Sequence, residues 1–211
     1  MTILKISMLT LSIFLLITFG SKDEKSEKEA QGLKVGQTAP VFEALDADSN
    51  LFSIEEALIN GPVVLIFYRG FWCPVCNEHL GSIQDSLAMI ETTGAKAIAV
   101  SPENPFFLDK MADKTGAEFT LLYDEDYKIA NAYDVNFTPS TMKLFTYNVA
   151  LGAKLKESHS DESQKLPIPA TYIINQNGKI VWRQFDPDYH NRASVRDIME
   201  VLKDEKHFNE F

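Results

Sequence analysis

Cys73 and Cys76 are the only cysteines of the chain and stand three positions apart, in the segment FYRGFWCPVC at 67–76. Two thiols at this spacing meet within one helical turn, so the pair can pass between dithiol and disulfide. Other uses of the pair are weaker. A structural disulfide across so small a loop removes little unfolded-state entropy. A zinc site needs two further ligands, and His79, His159, His190 and His207 are scattered without paired spacing. Haem attachment needs histidine directly after the second cysteine, where Asn77 stands. A redox-active pair is the reading that remains, and it calls for neither a metal nor an organic cofactor.

Three neighbours could tune the pair. Arg69 is the nearest cation and could lower a thiolate pKa or bind a peroxide oxygen. Trp72 could shield the sulfurs and offer an apolar landing surface. His79, three residues after Cys76, is a weaker candidate as a proton shuttle than as a surface histidine. Cys73 would lie at the helix start and so be the more exposed sulfur, while Cys76 would lie one turn in, where desolvation raises a thiol pKa. On that argument Cys73 is the lower-pKa thiol.

The flanking pattern supplies the elements that position the pair. Residues 62–67, PVVLIF, are an uninterrupted apolar run, as expected of a strand buried on both faces of a parallel sheet. Leu80, Ile83, Leu87 and Ile90 then mark one stripe of an amphipathic helix, and the AIAV run at 97–100 is the next buried strand. Residues 62–100 thus read as a βαβ unit, with the cysteines where the first strand hands over to the helix, the edge at which α/β sheets build sites. The helix N-terminus there favours a thiolate, and Pro74 suits its first turn. A third strand is expected near 119–123, with helices near 105–114 and 127–133. Residues 171–174 and 179–183 flank NQNG, a hairpin signal with Gly178 free to take positive φ. A last helix begins near Ser194, with Asp197 completing a capping-box-like pair. The expected fold is α/β, a mixed sheet with helices on both faces; residues 139–166, with the weakest pattern, read as an insertion before the late hairpin.

These segments resemble the thioredoxin-fold proteins, and most closely the redoxin, or peroxiredoxin-like, branch of the alkyl hydroperoxide reductase/thiol-specific antioxidant (AhpC/TSA) superfamily. The resemblance runs from about Leu33 to Leu202. It rests on KVGQTAPVF at 34–42, FYRGFWCPVC at 67–76, PIPATYII at 167–174 and DPDYHNR at 186–192. It implies a thioredoxin-like fold with a peroxiredoxin-type N-terminal extension, and Pro169 as a cis-proline packed against the cysteines. It also implies a thiol-dependent peroxidase that reduces hydroperoxides through a Cys73–Cys76 disulfide. The alternative is an extracytoplasmic oxidoreductase acting on protein disulfides. A thioredoxin-like or membrane reductant would serve either. The two registers disagree about the attacking thiol. The peroxiredoxin pattern Pro-x-x-x-Thr-x-x-Cys puts Cys76 in the peroxidatic place, Cys73 in the threonine place and Arg69 in the proline place. The thioredoxin pattern makes Cys73 the nucleophile. The arginine that usually precedes the late strand in peroxiredoxins is replaced by Pro169.

The composition fits one domain with an appendage. The 211 residues are 45% apolar and 24% charged, with a formal charge of −10, a surface that disfavours nucleic acid. Lys5 and the apolar run from Met8 to Phe19 read as a secretory signal over residues 1–20, with Thr18 and Gly20 at the small positions. Residues 21–32, SKDEKSEKEAQG, read as a charged linker, and residues 33–211 as the domain. The expected location is periplasmic or extracytoplasmic, with membrane attachment only if the N-terminal segment stays uncleaved.

Overall fold

The computed structural model describes residues 25–204 together with Phe208. An antiparallel pair, β1 (Glu43–Leu45) and β2 (Leu51–Ser53), leads into a short helix, α1 (Ile54–Asn60). The apolar run then forms β3 (Val63–Phe67), buried along its whole length. The expected single helix after the cysteines is two, α2 (Pro74–Asp85) and α3 (Leu87–Glu91), which break at Ser86; Leu80, Ile83, Leu87 and Ile90 are nevertheless all buried. The chain returns as β4 (Lys96–Ser101), parallel to β3, and so closes the βαβ unit.

The next elements are α4 (Pro105–Thr115), β5 (Thr120–Tyr123) and α5 (Lys128–Ala132). Pro105 fits the first turn of α4, and Gly116 stops that helix with a φ of 68°. A two-residue strand, β6 (Asn136–Phe137), opens the insertion. Within it lie α6 (Thr141–Phe145), a π-helical turn over Thr146–Ala150, and α7 (Leu155–Ser158). The insertion is closed off by β7 (Leu166–Pro167), which pairs with β6. The late hairpin is β8 (Ala170–Ile174) and β9 (Ile180–Phe185), with Gly178 at φ 73° in its turn. Last comes α8 (Val195–Lys203), whose Ser194 side chain accepts the Asp197 N–H.

The central sheet has the order β5-β4-β3-β8-β9, with β3, β4 and β5 parallel and β8 and β9 antiparallel to their neighbours. Alternate residues of β3 feed the two faces. Val64 and Ile66 join Leu80, Ile83, Leu108 and Ile198 on one side, while Val63, Leu65 and Phe67 join Leu58, Ile129 and Tyr133 on the other. Burying a side chain of this size gives roughly 2 kcal/mol, so only an unbroken apolar run suits the middle of such a sheet.

The start of the domain differs from expectation. Residues 25–32, read as part of a free charged linker, lie along the folded body. Lys25 pairs with Asp134, Glu27 pairs with Lys143, and Ala30 is buried. Two N–H groups of this stretch, on Gln31 and Gly32, bond to Asp134. Its charges find partners that are distant in sequence, which composition alone does not reveal. The signal expected over residues 1–20 falls outside the described residues.

Candidate active site

The strands β3 and β4 end level with each other, Phe67 opposite Val100, and the loop 68–73 leaves the sheet at that edge. The loop closes with a turn in which the Cys73 N–H donates to the Gly70 carbonyl, 3.1 Å. Cys73 is the N-cap of α2: its sulfur accepts the Cys76 N–H at 3.4 Å, with Pro74 behind it in the first turn. The two sulfurs stand 2.7 Å apart, close enough to share one proton or to join.

Two guanidinium groups bracket them. Arg69 Nη2 lies 3.2 Å from Cys73 Sγ, and Arg192 Nη2, from the loop before α8, lies 3.5 Å from Cys76 Sγ. Arg69 is only 2% exposed. Its Nη1 donates to Tyr147 Oη at 3.1 Å, and its guanidinium sits 3.9 Å from the centroid of the Tyr189 ring. Trp72 stacks on Tyr147 with centroids 5.0 Å apart. The sequence candidates Cys73, Cys76, Arg69 and Trp72 thus meet at one point.

Exposure does not distinguish the sulfurs, because both cysteines are 0% exposed. The surroundings of the pair also run against the expected thiol order. Burial opposes an anion on Cys76, but the Cys73 S–H, Arg192, Arg69 and the Arg69 backbone N–H outweigh it and hold the Cys76 thiol well below its usual range. Cys73 then keeps the proton: its bond to the Cys76 sulfur, with burial behind it, pushes its pKa upward despite Arg69. The helix argument considered neither the bond between the two thiols nor Arg192, which the tertiary structure brings to the pair.

Pro169 is buried immediately before β8, and Ala170 pairs with Phe67 at the site end of β3. Among the described residues no peptide bond is cis, so the resemblance-based expectation of a cis-proline is corrected. The chain passes from β7 into β8 extended, with the Ile168 N–H bonded to the Val135 carbonyl, a path that a trans peptide continues.

His79 is not a surface residue. It is buried, and its Nε2 lies 3.0 Å from the Ala193 carbonyl, which calls for an Nε2–H that donates. Burial, with Arg192 adding to it, lowers its pKa to about 4. Since the unfolded histidine takes its proton near pH 6.5, the folded state loses stability as pH falls from there to 4. Comparing wild type with His79→Gln by urea unfolding, the stability difference should move by about 3 kcal/mol against the wild type between pH 7.5 and 4. An unchanged difference would show that folding leaves the His79 pKa where it lies in the unfolded chain.

Behind the pair lies a buried carboxyl that sequence reading missed. Glu103, after the end of β4, is 0% exposed; its Oε2 accepts the Phe71 N–H at 2.8 Å. Burial first, and the Cys76 charge in addition, hold it well above the usual carboxylate range. A Cβ at Gly70 would lie 2.5 Å from Glu103 Oε1 and 2.5 Å from Trp72 Nε1, so the loop passes here only as glycine. An acidic residue directly after a buried strand was the available signal. Arg192 and Tyr189 lay in the matched 186–192 motif without a chemical reason to select them, and Tyr147 lay in the weakly patterned insertion.

With the two sulfurs 2.7 Å apart at a strand-to-helix edge, comparison identifies the lineage. The model of the AhpC/TSA family matches residues 35–183. The chain belongs to the AhpC/TSA family. Among curated relatives, a putative peroxiredoxin bcp of Haemophilus influenzae is 31% identical over 104 residues, 49% of this chain and 66% of that protein, just under two thirds of its length. A thiol-disulfide oxidoreductase ResA of Geobacillus thermodenitrificans is 22% identical over 153 residues, 72% of this chain and 70% of that protein. Among solved structures, peroxidoxin BcpB of Mycobacterium tuberculosis superimposes with a TM-score of 0.63 at 19% identity, covering 81% of this chain and 97% of that one. The AhpC/TSA chain therefore has the thioredoxin-like fold expected of it.

Proposed function

We propose that the protein is a thiol-dependent peroxidase in which Cys76 attacks the hydroperoxide and Cys73 resolves the product. The observation that carries this reading is the Cys76 sulfur, 3.5 Å from Arg192 and 2.7 Å from a second thiol. The Cys76 thiolate attacks the terminal peroxide oxygen. An S–O bond forms, the O–O bond breaks, and the alkoxide leaves to take a proton as an alcohol. Cys73, giving up its proton, attacks the Cys76 sulfenic acid; the S–S bond forms and hydroxide leaves with that proton as water. The pair is oxidised by two electrons, the peroxide is reduced by two, and an external dithiol of thioredoxin type restores the pair. Arg69 and Arg192 stabilise the thiolate and the developing negative charge on the leaving oxygen.

The likeness to the thiol-disulfide oxidoreductase supports a second reading, exchange with protein disulfides. Stopped-flow oxidation of the reduced protein by hydrogen peroxide, run beside insulin reduction, separates the two. Fast oxidation without insulin reduction is expected; the reverse result would replace the peroxidase reading with the exchange reading. We also propose export, which rests on Lys5 and the Met8–Phe19 run alone. The mass of protein from its native host should be short by about 20 residues; a full-length soluble cytoplasmic product would end that proposal.

A further inference from the structure

The insertion does more than decorate the fold, because it supplies the roof of the site. Tyr147 belongs to the π-helical turn over Thr146–Ala150 and is itself buried, 5% exposed. Its ring lies against Trp72, and its hydroxyl is tied to Arg69. From another direction, the Tyr189 ring covers the Arg69 guanidinium. Under these groups both reactive cysteines are 0% exposed. A hydrogen peroxide molecule is little larger than water and needs only a small displacement to reach a sulfur. A protein disulfide, or a hydroperoxide bearing an aromatic group, needs a wider opening.

We infer that Tyr147 is a specificity-determining residue which, packed against Trp72 and bonded to the Arg69 that contacts Cys73, restricts the enzyme to small hydroperoxides. The inference rests on the peroxidase reading for its substrate class but on the packing alone for its size limit. The selection belongs to the reduced state, in which Arg69 lies 3.2 Å from Cys73 Sγ. It works by exclusion: a bulky reagent must first break the Tyr147–Arg69 hydrogen bond and separate the stacked rings, whereas a small one need not.

The test measures second-order oxidation rates of the reduced protein by hydrogen peroxide and by cumene hydroperoxide. Wild type should prefer hydrogen peroxide by about tenfold or more, and Tyr147→Ala should bring the ratio within about threefold. Tyr147→Phe keeps the ring and loses only the hydroxyl, so its ratio should stay close to wild type even if both rates fall. Thiol alkylation provides a readout without peroxide: iodoacetamide should outpace a polymer-linked maleimide in wild type, and Tyr147→Ala should narrow that gap.

Equal peroxide rates in wild type would overturn the inference, whether or not the alanine variant folds. So would a Tyr147→Ala variant that folds and keeps the wild-type ratios. If neither peroxide oxidises wild type, the peroxidase reading falls while the alkylation ratio still decides the size limit. A wild-type alkylation ratio near one would then remove the size limit too.

Discussion

Replacing Cys76 with serine should lower single-turnover peroxide consumption by about a thousandfold or more, because no other group near the site is held as an anionic sulfur. The companion variant Cys73→Ser should still react once and stop at a sulfenic acid, with no resolving thiol 2.7 Å away. Its serine hydroxyl can replace the lost S–H donor, and one neutral hydrogen bond is worth about 1 kcal/mol, so the rate should stay within about tenfold of wild type. Stopped-flow peroxide consumption, with mass spectrometry of a sulfenic-acid adduct, reads both outcomes. If Cys73→Ser abolishes the reaction and Cys76→Ser preserves it, the roles are exchanged, and the pull of Arg69 on Cys73 at 3.2 Å dominates that of Arg192.

The second large effect is expected at Arg69, whose buried charge serves the sulfurs and the roof together. Arg69→Met removes a cation 3.2 Å from Cys73 Sγ and leaves Tyr147 Oη without its donor. An opposite charge at this range commonly shifts a pKa by about 1–3 units, so the thiolate titration followed at 240 nm should move upward by that amount. Peroxide consumption measured below the wild-type midpoint should fall by about 10- to 1000-fold, following the thiolate fraction. Arg69→Lys restores a charge but not the planar fork that reaches Cys73 and Tyr147 at once, so rescue should be partial. Arg192→Met, which removes the guanidinium 3.5 Å from Cys76 Sγ and leaves Tyr147 untouched, should move the midpoint in the same direction and by at least as much. A change in packing alone would lower the rate without moving the 240 nm midpoint, and that outcome would remove Arg69 from the electrostatics of the pair.

Much of this molecule can be read from local pattern. The apolar run of β3 announces a strand buried on both faces, because hydration penalises any polar residue there. The cysteine spacing and Pro74 announce an N-terminal helical turn, because its open N–H groups need a cap and Cys73 provides one. The NQNG turn and the Ser194 cap are equally local, and all of them lie where the pattern put them. What depends on tertiary structure is everything that reaches the sulfurs from afar. Arg192 and Tyr189 arrive from the segment before α8, Tyr147 from the insertion, and Glu103 from the end of β4. Local exposure arguments put the lower pKa on Cys73, whereas the bond from Cys73, together with a guanidinium 116 residues away in sequence, favours the anion on Cys76. The physical reason is that burial and charge are properties of the packed surroundings: a thiol pKa is set by every charge and dipole within a few ångströms, and periodicity reports only those on its own helix.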